Sequence, residues 1–77
     1  MNLTGIPMPF REQFEQSPKV LGGKLRLHGS RVSVEQVLEL LEAGEASSDI
    51  VRSFPSIEVS SVNAVKRLAA HCALTLL

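Results

Sequence analysis

Apolar and polar positions alternate between Lys24 and Leu27, and again between Val32 and Val34. Period-two alternation marks a half-buried strand, because successive side chains of an extended chain point to opposite faces. Leu25 and Leu27 fall on one face of the first run, and Val32 and Val34 on one face of the second. The linker His28-Gly29-Ser30-Arg31 is rich in turn formers. The pattern predicts a β-hairpin here, with Val20-Leu21, ahead of Gly22-Gly23, as a candidate extension. A lone hairpin is marginal in water, so it must lie on helices or pair with a strand of another chain.

After the second run the period changes to three and four. Ser33 followed by Gln36 three residues on is a capping-box pattern. Val34, Val37, Leu38 and Leu41 form an apolar stripe, Glu35, Glu39 and Glu42 fall on the other side, and Gly44 is a left-handed stop. A second helix begins with Ser47 or Ser48 as its cap, places Asp49 in its first turn where the dipole favours an acid, buries Ile50, Val51 and Phe54, and ends at Pro55. A third helix begins near Val59–Ser61. Val62, Val65, Ala69, Cys72 and Leu76 share one of its faces, and Asn63, Lys66, Arg67, Ala70 and His71 lie roughly opposite. The expected fold is mainly α: an N-terminal β-hairpin followed by a three-helix bundle on a helix-turn-helix plan.

Residues 1–18 read as an N-terminal arm and 19–77 as the domain. Pro7, Pro9 and Pro18 punctuate the arm, and between them FREQFEQ has the spacing of a short helix, with Phe10 and Phe14 one turn apart. The arm is either a flap over the edge of the core or a segment that orders on a partner.

With 77 residues the chain is one domain, and a core of that size supplies only roughly 3–5 kcal/mol. A lone cysteine, Cys72, excludes an internal disulfide, and no CxxC or HxxxH spacing accompanies His28, His71 and Cys72, so neither a metal site nor a cofactor is expected. Self-association, as a homodimer, remains as a source of added stability. The single thiol suits a reducing compartment. No signal-peptide pattern or membrane-spanning apolar run is present, so a cytoplasmic protein without a membrane partner is expected.

Net charge is zero, but its distribution is uneven. Lys19, Lys24, Arg26 and Arg31 crowd the hairpin with no acid among them. Glu35, Glu39, Glu42, Glu45, Asp49 and Glu58 follow against a single Arg52, and Lys66 and Arg67 return positive charge to the last helix. The chain should therefore be electrically polarised.

No catalytic constellation emerges. Both histidines read as solvated surface groups without a sequence partner, Cys72 as a small core residue, and Gly22-Gly23-Lys24 lacks the spacing of a phosphate loop. A non-enzymatic binding module is the expectation. In a helix-turn-helix the last helix enters the major groove. Asn63, Lys66 and Arg67, with Ser61 at the helix start, are side chains of the right type to read or position double-stranded DNA, and Lys24, Arg26 and Arg31 would add phosphate contacts. The bland alternative is that Lys66 and Arg67 only keep an exposed face soluble. Protein partnership is the other option: Phe10 and Phe14 from the arm, the stripe Glu35, Glu39 and Glu42 as a phosphate mimic, and the unpaired hairpin edge as an acceptor for another chain's strand.

From Ser17 to about Ala70 an ordered series of residues resembles a known bacterial family, domain of unknown function 433. The series is Pro18, Gly22-Gly23-Lys24, Gly29-Ser30-Arg31-Val32, Val34 to Leu41, Ala43-Gly44, Ile50 and Phe54-Pro55. Leu25, His28, Ser30 and Ser33 stand where the family pattern has proline, arginine, threonine and proline, and Glu58 where it favours threonine. The resemblance implies a homeodomain-like helical domain. It also implies an antitoxin-like role in a type II toxin–antitoxin system: binding a PIN-like ribonuclease toxin and, as a dimer, operator DNA. The alternative expectation is a protein-interaction or dimerisation module without DNA binding.

Overall fold

The structure, a computed structural model, describes Ile6 and residues 10–76, with side chains for Ile6 and residues 11–72. A 3-10 turn over Phe10–Gln13 runs directly into a short strand, β1 (Phe14–Glu15). The chain reverses through Ser17–Gly23 and returns as β2 (Arg26–Leu27), antiparallel to β1, with Phe14 opposite Leu27 and Glu15 opposite Arg26. On the other flank of β2, Arg26 faces Ser33 in a single bridge. The Leu27 N–H donates to the Val32 carbonyl at 2.9 Å and the Val34 N–H to the Leu25 carbonyl at 3.0 Å.

The expected architecture, a hairpin ahead of three helices, is therefore present, but its principal strand pair differs from the expected one. Residues 24–27 and 32–34 meet at one bridge only, because Ser33 must already serve as a helix cap. The main partner of β2 comes instead from the segment read as an arm. Phe14 is buried there, as is Ile6, so this segment contributes to the core. The expected short helix over FREQFEQ is a single 3-10 turn followed by strand; Pro7 and Pro9 lie outside the described residues.

Val20-Leu21 does not extend the strand. Leu21, Gly22 and Gly23 have φ of 51°, 62° and 86°, a left-handed turn closed by the Lys24 N–H donating to the Leu21 carbonyl at 3.2 Å. Glycine enters this region at no steric cost, whereas leucine pays for its Cβ.

Helix α1 (Val34–Glu42) starts as its sequence predicts. The Ser33 hydroxyl accepts the Gln36 N–H at 3.0 Å, and the Ser33 N–H donates to Gln36 Oε1 at 3.1 Å. It ends at Gly44 (φ 90°), where the Gly44 N–H donates to Leu41 and the Glu45 N–H to Leu40, the paired bonds that close a helix through a left-handed residue. Helix α2 (Ser47–Ser53) has Ala46, not Ser47 or Ser48, at its cap position, and no side chain caps it. The chain enters α2 one residue early, and the Ser47 hydroxyl is left buried without a partner. Helix α3 (Val59–Leu76) packs against α1, α2 and the Phe10–Gln13 turn.

One apolar cluster joins these pieces, formed chiefly by Ile6, Phe14, Leu25, Leu27, Val32, Val34, Val37, Ile50, Ile57, Val62, Ala64, Val65 and Leu68. On α3 the buried face is wider than the expected stripe. Ala64 and Leu68 are fully enclosed and Ala69 and Cys72 only half-buried, because α3 is covered from two sides by α1 and α2. The Leu76 side chain lies outside the described residues.

Candidate nucleic-acid and partner surfaces

The outer face of α3 follows from what its inner face buries. With Val62, Val65 and Leu68 enclosed, Asn63, Lys66, Arg67 and Ala70 are left exposed, as their spacing requires. Lys66 makes no ion pair among the described residues. Ser61, half-buried, sits in the first turn, its N–H donating to the Glu58 carbonyl at 2.9 Å. His71 is half-buried rather than fully solvated.

The basic hairpin residues fare differently. Arg26 is not a free cation: its side chain is only 12 % exposed and its guanidinium is bonded to the Glu15 carboxylate. The register places Glu15 opposite Arg26, so the pairing is built into the strands. Lys24 lies 3.5 Å from Glu35 at the start of α1. Arg31 remains exposed, without an ion pair among the described residues. Two of the four hairpin cations, Lys24 and Arg26, are thus paired with acids that are distant in sequence, while Lys19, like Arg31, is exposed without an ion pair among the described residues. Electrostatic steering by this region falls to Lys19 and Arg31.

Glu15, which no spacing in the sequence marks, is the hub of the turn. Besides Arg26 it holds His28 Nδ1 at 2.6 Å and accepts the Gly29 N–H. Partial burial opposes its charge, but the Arg26 and Gly29 hydrogen bonds and the positive charges of Arg26 and His28 outweigh that. Its carboxyl is held below the usual glutamate range. His28 is therefore exposed but not solitary, which corrects the expectation that it lacks a carboxylate partner. Within the same turn the Ser30 hydroxyl donates to the Leu27 carbonyl at 2.8 Å and accepts the Val32 N–H at 3.1 Å. These local bonds hold the turn that links β2 to α1.

The candidate partner-binding residues divide as well. Phe14 is a core side chain and presents no surface to a partner, while the Phe10 side chain lies outside the described residues. Glu35, Glu39 and Glu42 are all exposed along α1, with Glu35 engaged by Lys24. The strand edge expected to accept another chain is not open on β2: β1 occupies one flank and Ser33 the other. Among the described residues no group of three or more His, Cys, Asp or Glu is placed to hold a metal ion, and no helix is long and apolar enough to cross a membrane.

Compared with family models, the chain matches one described as a protein of unknown function (DUF433) over residues 15–69. The chain belongs to this family. No curated protein and no solved structure matches it. The DUF433 match opens at Glu15, the hub of the turn, and closes at Ala69. It takes in β2, α1, α2 and the part of α3 that carries Asn63, Lys66 and Arg67. Ile6 and Phe14, which complete the core of this DUF433 member, lie ahead of it.

Proposed function

We propose that this protein is an antitoxin-like, non-enzymatic repressor that binds operator DNA as a dimer and silences a PIN-like ribonuclease toxin. The observation that supports the DNA contact is the outer face of α3. There an amide and two cations, Asn63, Lys66 and Arg67, stand exposed on a long helix whose opposite side is fixed in the core. Amide and guanidinium groups match the edges of adenine and guanine in the major groove, and lysine matches phosphate. In this reading Lys24 and Arg26 are structural, Arg31 is the turn's phosphate contact, and the glutamates of α1 face away from DNA.

The test is a binding titration on the region upstream of the protein's own gene. Lys66→Ala with Arg67→Ala lowers affinity and flattens the dependence of log K on log salt, by about one for each phosphate left without its cation. An unchanged salt slope in the double variant overturns the assignment.

A second reading, a protein-interaction module without DNA contact, draws on α1. Glu39 and Glu42 are exposed there, and a shallow groove between Leu40 and Phe54 opens beside Glu39. Loss of toxin binding on charge reversal of Glu39 and Glu42, with no shift of operator DNA by the wild-type protein, would favour it.

A further inference from the structure

One cleft of the molecule joins an apolar floor to a rim of mixed charge. Leu25, Val34 and Leu38 line it together with Lys24 and Glu35. The two leucines and the valine are buried or half-buried, while Lys24 and Glu35 are well exposed and 3.5 Å apart. The left-handed turn runs past this rim, since the Lys24 N–H closes onto the Leu21 carbonyl. Leu21 itself is 38 % exposed, with Val59 one of two large apolar side chains left open among the described residues, and it holds a φ of 51°. Glycine or asparagine would occupy that backbone position at less cost. Among the described residues, Leu21 thus combines a left-handed backbone with an exposed apolar side chain.

We propose that two copies of this chain associate about a two-fold axis through this cleft. Leu21 of each protomer seats in the cleft of the other, and Lys24 of each faces Glu35 of its partner. The occupant follows from the charge. The rim carries one cation and one anion side by side, both more than half exposed, so the partner that complements it brings an anion to the first and a cation to the second, next to an apolar knob. A second copy brings all three at the right mutual spacing, and a two-fold axis brings each group to its complement. This names the surface of the dimer in the proposed function, and so rests on that part of it.

Sedimentation velocity on the full chain tests it. Leu21→Gly removes the knob and relieves the backbone, so the variant stays folded, with an unchanged or higher Tm, while its dimer dissociation constant rises at least tenfold. Lys24→Glu and Glu35→Lys each leave a rim of one sign, and each variant alone sediments as a monomer. Mixed, they recover a dimer, because each supplies the charge that the other lacks; an ion pair confined within one chain would not restore it. A mixture as monomeric as its components overturns the proposal, as does a dimer of Leu21→Gly as tight as the wild type's. Wild-type protein that is monomeric at all concentrations overturns the dimer itself. A wild-type dimer indifferent to all three variants overturns only this surface. Operator binding by that same dimer would leave the DNA reading intact.

Discussion

Glu15 shows how one carboxylate can organise a turn. It gathers Arg26, His28 and the Gly29 N–H, groups that lie more than ten residues further along the chain. Because these partners favour the ionised form, the folded protein binds this proton less readily than the unfolded chain does. The resulting stabilisation is complete above the ordinary glutamate pKa of about 4.3 and is lost as pH falls through the lower folded value. Glu15→Gln should therefore have a lower Tm than wild type at neutral pH and lose less further stability on acidification. Glu39→Gln, at an exposed site, should track the wild type. A set of Tm values from neutral to strongly acidic pH, measured on all three proteins, checks this. The role of Glu15 was not legible in the sequence. A glutamate in a polar stretch has no periodic signature, and its partners are brought to it only by strand register. Ser33 is the opposite case: its partner Gln36 is three residues away, and local bonds can be read from local spacing.

The same contrast between local and distant causes governs the elements. Helix α1 was legible at both ends because its start and stop are chemical signals within one turn of the helix. Ser33→Ala should cost about 1 kcal/mol of stability, measured by urea unfolding, with helix content otherwise retained. Helix α2 starts one position ahead of its serine signals, since two adjacent serines look alike as caps and packing selected Ala46 instead. The buried face of α3 is wider than its spacing implies: Leu68 and Ala64 are enclosed because two helices cover α3, and spacing alone does not count neighbours. The strand pairing was the least legible feature. Each strand is two residues long, and Phe10 and Phe14 have the spacing of a helix turn. The pairing of residues 14–15 with 26–27 follows from Phe14 finding Leu27 and Glu15 finding Arg26. The exposed trio Asn63, Lys66 and Arg67 was legible, because it depends only on which side of α3 is buried.

For the whole molecule, the decisive fact is that residues ahead of the family match complete the core. Phe14→Ala should cost about 3–5 kcal/mol. That is comparable to the roughly 3–5 kcal/mol that a core of this size supplies. The variant should accordingly be mostly unfolded at ambient temperature, seen as a collapsed calorimetric transition and a weakened helical circular dichroism signal. The redistribution of charge belongs to this scale too. Sequence clusters of one sign meet their opposites in space, as Lys24 does with Glu35 and Arg26 with Glu15.

With β2 flanked by β1 on one side and Ser33 on the other, its backbone offers no open row of donors and acceptors to a stranger. A protease that nicked the chain just after Glu15 would strip one flank bare and uncover Leu27 at the same moment. The shortened product would then meet its siblings with a sticky margin, and precipitation would be its fate.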